Sequence, residues 1–358
     1  MPISPQLNGP DLSGIQQGKR GKHMRNKPSM VQDLLEPGSL PDKTGRVSLI
    51  QTHISMVFVG DEFVYKVKKP VDFGFLDFTT LEKRKHYCEQ ELRLNQRLAQ
   101  DTYIGVMPIT YDGKHYSIGQ GEGEIVEYAV KMKKIPEELL MKSLFRRGEL
   151  GEAHLREIAH VLAKFHQSAE RSPEIDKFGE PEVFRINTDE NFEQTAKYMD
   201  TTIASEDFHT LREWTDDFYR QKEDLFQERV RAGKIRDGHG DLHMEHVCLT
   251  ERLSIIDCIE FNDRFRYGDT LVDIAFLLMD LEFHGGKDFA HQLWRFYGKE
   301  TGDTGMDSLL TFYKVYRAYV RGKVNSFQLD DEHIGPDEKK KAAQTASQYF
   351  ALARSYME

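Results

Sequence analysis

DGHGDLHMEHVCLTERLSIIDCIEFNDRFRYGDTLVDIAF, residues 237–276, is the stretch whose reading decides the fold of this chain. It opens with a short polar turn carrying His239, Asp241, His243, Glu245 and His246. Two apolar arms follow, residues 246–249 and 253–256, around Thr250, Glu251 and Arg252, the pattern of a compact hairpin. Asp257 comes directly after Ile255 and Ile256, and a carboxylate just past a buried strand needs a partner, which a metal ion can supply. Asp269 and Asp273 stand at the head of an apolar helix, where carboxylates oppose the helix dipole. One carboxylate on the loop before a hairpin and another just after it suits phosphoryl transfer. The first orients a hydroxyl, and the second holds the metal ion that bridges nucleotide phosphates.

Composition bounds what the rest of the chain can be. The 358 residues are 39% hydrophobic and 30% charged, an ordinary balance for a chain that buries a core as one large two-lobed domain or two small ones. No apolar run reaches the length that crosses a bilayer, and no secretory pattern opens the chain, so no membrane partner is expected. Three cysteines, Cys88, Cys248 and Cys258, are too few and too oddly spaced for a disulfide framework, and the expected location is the cytoplasm. A net charge of −10 argues against a nucleic-acid partner.

Residues 1–40 are rich in Pro, Gly, Lys and Arg and read as a flexible leader, with a short helix over residues 30–35 able to dock it. Strands are expected over residues 47–50, 55–59 and 63–68. In the last, period two puts Lys66 and Lys68 on one side, either as solvated residues guarding an edge or as ligands of something anionic. A long helix follows from a capping box at residues 79–82, with Thr79 as the cap, and it carries Glu89 and Glu91 in its middle. The glycine-rich run at residues 119–123 has the wrong spacing for a dinucleotide fingerprint and reads as a hairpin loop. No G-x-x-x-x-G-K-[ST] occurs. Beyond about residue 134 the pattern is helical, with amphipathic segments at residues 152–169, 270–283, 289–297, 309–323 and 338–356, and two more helices between 192 and 231.

The spacing His239, Asp241, position 246, then Ile255-Ile256-Asp257 matches the protein-kinase catalytic and metal segments in order and distance. The form HGDLH, then IID, then D-x-x-x-D-I-A resembles the aminoglycoside-phosphotransferase branch of the kinase-like fold. The segments VYKVKKPVDFGFLDF, LEKRKHYCEQELRLN and YRAYVRGK resemble uncharacterised bacterial proteins in which such a domain is often fused to a P-loop kinase domain. The resemblance implies an α+β, two-lobed kinase-like fold. Its lobe of residues 41–133 would be a small antiparallel sheet with one helix, and its lobe of residues 134–358 mostly helical. It implies ATP with Mg2+ as cofactors and a small-molecule hydroxyl as acceptor. Asp241 would orient the acceptor, Lys66 and Glu91 would place the phosphates, and the loop ending at Ser55 would stand where other kinases have a glycine-rich cover. Asp257 would hold metal, His239 would bond backbone near Asp257, and Asp273 would tie down the catalytic loop.

One departure from the family is explicit. The second metal position, an asparagine in the family, is His246 here; magnesium prefers hard oxygen ligands whereas imidazole suits softer divalent ions, so Mn2+ stands as the possible alternative to Mg2+. The same histidines allow two rival readings, a metal-dependent hydrolase built on a His/Glu/Asp cluster and a module that binds nucleotide without transferring phosphate.

Overall fold

The computed structural model describes residues 29–119, 121–332 and 334–358; the leader expected over residues 1–40 therefore lies outside the described residues as far as residue 28. The chain divides into two compact units between Glu137 and Glu138. The fold class is α+β, as the sequence led one to expect.

Among the described residues the first unit is a six-stranded antiparallel sheet with two α-helices. Its strands are β1 (Ser48–Gln51), β2 (Ser55–Val59), β3 (Phe63–Lys68), β4 (Tyr103–Tyr111), β5 (Tyr116–Ile118) and β6 (Glu124–Lys133), in the spatial order β1-β2-β3-β6-β4-β5. Alternation along β3 sorts its side chains. Tyr65 and Val67 enter a core with Leu34, Leu40, Phe58, Ile109 and Ala129, which α1 (Met30–Leu34) helps to close. Lys66 and Lys68 take the other side, toward α2 (Leu81–Asn95).

Three local expectations need correction. The cap of α2 is Thr80, whose hydroxyl accepts from the Lys83 amide, while Thr79 bonds Asp77 instead. Strand β4 was not expected at all, because Gly105 and Pro108 interrupt its pattern. The glycine-rich run is not a hairpin turn: β5 pairs with β4 alone, and β6 lies on the far side of β4, so the connection crosses β4. Gly123, at φ +144°, makes that crossing, since a Cβ there would stand 2.4 Å from the Tyr111 carbonyl oxygen.

The second unit is helical. Its helices are α3 (Met141–Arg146), α4 (Glu152–Ser168), α5 (Pro173–Asp176), α6 (Pro181–Thr195), α7 (Ser205–Arg231), α8 (Asp263–Arg266), α9 (Thr270–Phe283), α10 (Lys287–Thr301), α11 (Asp307–Phe327) and α12 (Pro336–Ser355). Every residue of α9 before Phe283 is buried, the mark of a helix surrounded by others. Around it Phe192, Phe208, Leu211, Phe276, Met279, Val315, Tyr319 and Phe350 share one core, as their apolar spacing suggested. The decisive stretch supplies two short ladders: β7 (Ile235–Asp237) with β10 (Tyr267–Asp269), and the expected hairpin of β8 (Val247–Cys248) with β9 (Ser254–Ile255). Asp269 caps α9 by accepting from the Leu271 amide, and Arg229 grips both of its carboxylate oxygens, at 2.8 and 2.7 Å.

Candidate functional site

In the first unit the site grows from the pleat of β3. Lys66 Nζ stands 2.9 Å from Glu91 Oε1, and Lys68 Nζ stands 2.7 Å from Glu91 Oε2, so one carboxylate holds both lysines. Glu91 is wholly buried, whereas Glu89 faces solvent beside Lys85. The two lysines differ in kind. Lys68 is 1% exposed with its ammonium 4.9 Å over the Phe78 ring, whereas the Lys66 side chain keeps 11% of its surface open. Three charged groups thus sit together with two cations to one anion, in a place where charge is costly without compensation. Ser55 lies opposite Lys68 in the β2–β3 register, and its buried hydroxyl has no hydrogen-bond partner among the described residues.

A second ion pair accounts for the polar inner face of α2. Arg84 donates to Glu127 of β6 at 2.7 Å, and Arg84, Cys88, Glu91, Leu94 and Asn95 form the buried stripe of the helix. That inner face is largely polar, satisfied by partners on the strands and invisible to apolar periodicity.

In the second unit the catalytic-type loop is pinned from behind. Asp273 accepts from the His239 amide at 2.7 Å and the Gly240 amide at 2.8 Å, and His166 Nε2 lies 3.3 Å from it. The expected tie from Asp273 to this loop is therefore present. Burial alone would raise the Asp273 carboxyl, but the neighbouring His166, His239 and Arg317 outweigh it and keep the group well below the usual carboxylate range. Gly240 has φ +85°, and a Cβ there would stand 2.7 Å from the Phe265 carbonyl oxygen, so only glycine lets the loop turn at this point. His239 accepts from the Asp241 amide through Nδ1 and donates Nε2–H to the Ile256 carbonyl at 3.0 Å, joining the loop to the hairpin beside Asp257. One anchor went unnoticed in the sequence: Asp280, a full turn and more along α9, accepts from the Met244 amide at 3.0 Å.

Around Asp241 the nitrogens of two imidazoles are assigned by the backbone. His243 Nδ1 accepts from the Glu245 amide, which puts its proton on Nε2, 3.7 Å from Asp241 Oδ2. His246 Nδ1 donates to the Asp241 carbonyl at 2.8 Å, which leaves Nε2 as a lone pair, 3.6 Å from Asp257 Oδ2. Burial, and after it the His243 ring, pull His246 below its ordinary value against the raising influence of Asp241 and Asp257, so the imidazole is neutral near pH 7. Burial would push the Asp241 carboxyl up, yet His243, His246 and Arg321 more than offset it and hold the group far below the carboxylate range. Asp257 itself adopts φ +63°, a conformation an aspartate keeps only when its surroundings impose it.

Asp241, His243 and His246 each offer an atom within 4.8 Å of the others, a set that could hold a metal ion. The hydrogen bonds favour a different pair: His243 Nε2 carries its proton toward Asp241, while the free lone pair of His246 faces Asp257. Asp257 and His246 are thus a fitting donor pair for a divalent ion, one hard oxygen and one borderline nitrogen whose ring is oriented by a backbone carbonyl. The remaining members of a hydrolase-type cluster are committed elsewhere, His239 to Ile256 and Glu245 to Lys142 at 2.5 Å.

A family model described as "Phosphotransferase enzyme family" matches residues 64–310. Uncharacterized proteins of Mycobacterium bovis and Mycobacterium tuberculosis are 33% identical over 313 residues, which is 87% of this chain and 60% of theirs; the chain spans about three fifths of the length of these curated relatives. A choline/ethanolamine kinase family protein from Mesorhizobium loti superimposes with a TM-score of 0.50 at 13% identity, covering 91% of this chain and 100% of that one. An amicoumacin kinase, solved with AMP-PNP, Ca2+ and Ami, gives a TM-score of 0.52 at 13% identity, covering 90% of this chain and 91% of its own. At that identity the likeness speaks to fold, and the fold is kinase-like.

Proposed function

The chain belongs to the phosphotransferase enzyme family, and on that premise we propose that it transfers the γ-phosphoryl group of ATP to a hydroxyl of a small molecule. The observation that carries this reading is the pair of ion contacts from Glu91 to Lys66 and Lys68, at 2.9 and 2.7 Å. A helix glutamate that fixes a strand lysine is what nucleotide phosphates require. Lys66, the more open of the two, would meet the phosphates, with Lys68 bracing Glu91 from beneath and the unpartnered Ser55 hydroxyl available to a phosphate oxygen. Asp241, held ionised, would orient the acceptor hydroxyl and take its proton. A divalent ion, when bound, neutralises phosphate charge; Asp257 and His246 would be its protein ligands. The amicoumacin kinase solved with AMP-PNP and Ca2+ supports the choice of a nucleotide and a divalent ion, with Mg2+ or Mn2+ the candidates here.

The test is direct. Binding of ATP and of adenosine is measured with Mg2+ and with Mn2+, and γ-labelled ATP is then offered with a panel of small alcohols. Metal-dependent ATP binding followed by label transfer supports the reading. Tight ATP binding with no transfer to any acceptor favours the non-transferring module instead, and no nucleotide binding under any condition removes both.

A further inference from the structure

A small cavity lies wholly within the second unit, walled by α6, α8, β10, α9 and α11. Its enclosed part is about 20 Å3, room for one or two oxygen-sized groups, and it is partly open to solvent. Asn187 of α6, Arg264 of α8 and Arg317 of α11 stand in its wall. Asn187 is 7% exposed, and its Oδ1 is buried with no hydrogen-bond partner. Arg264 Nη1 is likewise buried and unpartnered, although Nη2 of the same guanidinium donates to Glu190 at 2.6 Å. Two polar groups brought to one cavity by different helices are thus left unsatisfied, which is costly until something occupies the space between them.

Charge separates this cavity from one that water alone would complete. The carboxylates in its wall are committed, Asp269 to Arg229, and Asp273 to the His239 and Gly240 amides and to His166. Arg266, also in the wall, has Asp237 and Asp263. Arg317 is 5% exposed, with its Nε 3.4 Å from the Val272 carbonyl and its guanidinium 5.4 Å from the Tyr316 ring. It has no carboxylate at ion-pair distance among the described residues. Asn187, Glu190 and Gln194 make one stripe of α6 by helical spacing, and at the end of that stripe Lys323 of α11 donates to Gln194 at 2.9 Å. Among the described residues Arg264, Arg317 and Lys323 therefore have Glu190 as their one carboxylate partner. Water satisfies an orphaned amide or N–H but does not balance that surplus of positive charge.

We propose that this cavity binds the oxygens of a small oxyanion, a carboxylate or a phosphate, between Asn187, Arg264 and Arg317. The amide of Asn187 can turn to present its NH2, and the two guanidiniums supply fixed charge with directed donors. The inference goes beyond the phosphotransferase reading and does not depend on it, because the first unit's lysines take no part in it.

The experiment titrates inorganic phosphate, acetate and, as the neutral control, glycerol into the full chain by calorimetry at constant ionic strength. The titrations are repeated in Lys66→Ala, which sets aside anions drawn to the lysines of the first unit. In both backgrounds phosphate or acetate should bind at least 10-fold more tightly than glycerol, and which of them does so separates phosphate from carboxylate recognition. Asn187→Leu and Arg264→Gln should each weaken that anion by about 10- to 100-fold, the worth of a hydrogen bond to a charged group. Anions that bind no better than glycerol overturn the proposal. So does anion binding that disappears in Lys66→Ala, or that both Asn187→Leu and Arg264→Gln leave unchanged. Should Asn187→Leu fail to fold, Arg264→Gln decides, since that side chain is 21% exposed and its loss leaves no cavity in the core.

Discussion

The Nδ1–H of His246 donates to the backbone carbonyl of Asp241 at 2.8 Å. That single bond fixes the tautomer of the imidazole, turns its lone pair toward Asp257, and couples the residue proposed to take a proton to the residue proposed to hold a metal. Manganese should therefore support nucleotide binding or transfer better than magnesium in the wild-type protein, and His246→Asn, which offers an amide oxygen instead, should restore magnesium preference. The sequence alone suggests that this effect fades below about pH 6.5, the ordinary histidine value. Burial lowers His246, so the manganese preference should persist to more acidic pH than that. Metal titrations of both proteins across pH check this; identical manganese-to-magnesium ratios in the two would take His246 out of the metal site.

Asp241→Asn should abolish transfer while leaving ATP bound. The amide keeps the size of the side chain and loses the charge that accepts a proton, and the expected loss in rate is of order 10²–10⁴. Single-turnover transfer alongside ATP binding measures it. A mutant that turns over at the wild-type rate would remove Asp241 from the chemistry.

Lys66→Ala should weaken ATP by about 10- to 100-fold and adenosine hardly at all, because the lysine meets phosphates and not the base. Lys68→Ala should act differently, since that ammonium is closed under Phe78 and braces Glu91. Its main effect should be on the stability of the first unit, read by hydrogen exchange of the β3 amides. If the nucleotide phenotype follows Lys68 alone, the phosphate contact belongs to the inner lysine.

Glu91→Gln should destabilise the same unit by about 3–5 kcal/mol, because it leaves two buried ammonium groups facing each other without their shared counter-ion. Glu89→Gln, on the solvated face, should cost less than about 1 kcal/mol. Denaturant unfolding followed by a probe in the first unit separates the two.

Asp273 predicts a pH signature. Its folded carboxyl lies well below the value it has in the unfolded chain, near ~3.9, so its stabilisation is complete above that value and is lost as pH falls below it. Asp273→Asn should lower stability at neutral pH, and the gap from wild type should begin to narrow as pH falls past about 4 and close only as the folded carboxyl itself protonates, well below that. A gap that stays constant from pH 7 to 3 would mean that the loop amides do not depend on the ionised carboxylate.

Much of the Asp241 loop was legible from residues 237–276, because its logic is local: a hairpin of apolar arms, an aspartate on either side, and a helix opened by Asp269 and Asp273. The tie from Asp273 and the contact of His239 with the strand end before Asp257 both follow within that one stretch. The kinase-like class followed as well, since the order of strand lysine, helix glutamate and hairpin aspartate is linear information. Which glutamate pairs with which lysine was settled by packing: α2 buries a polar stripe whose partners lie on β3 and β6, and no apolar period along the helix could reveal it. The cap fell one residue late, β4 hid behind Gly105 and Pro108, and the glycine run crossed a strand instead of turning back, because strand partners are chosen across the sheet. Arg321 lies in YRAYVRGK, one of the segments that carry the resemblance, yet its place against Tyr349 of α12 was settled only by packing. Chemistry written in neighbouring residues could be read from the chain, whereas chemistry made by burying one charge near another depended on the fold, since burial, and with it the strength of an unscreened charge, is a property of the packed molecule.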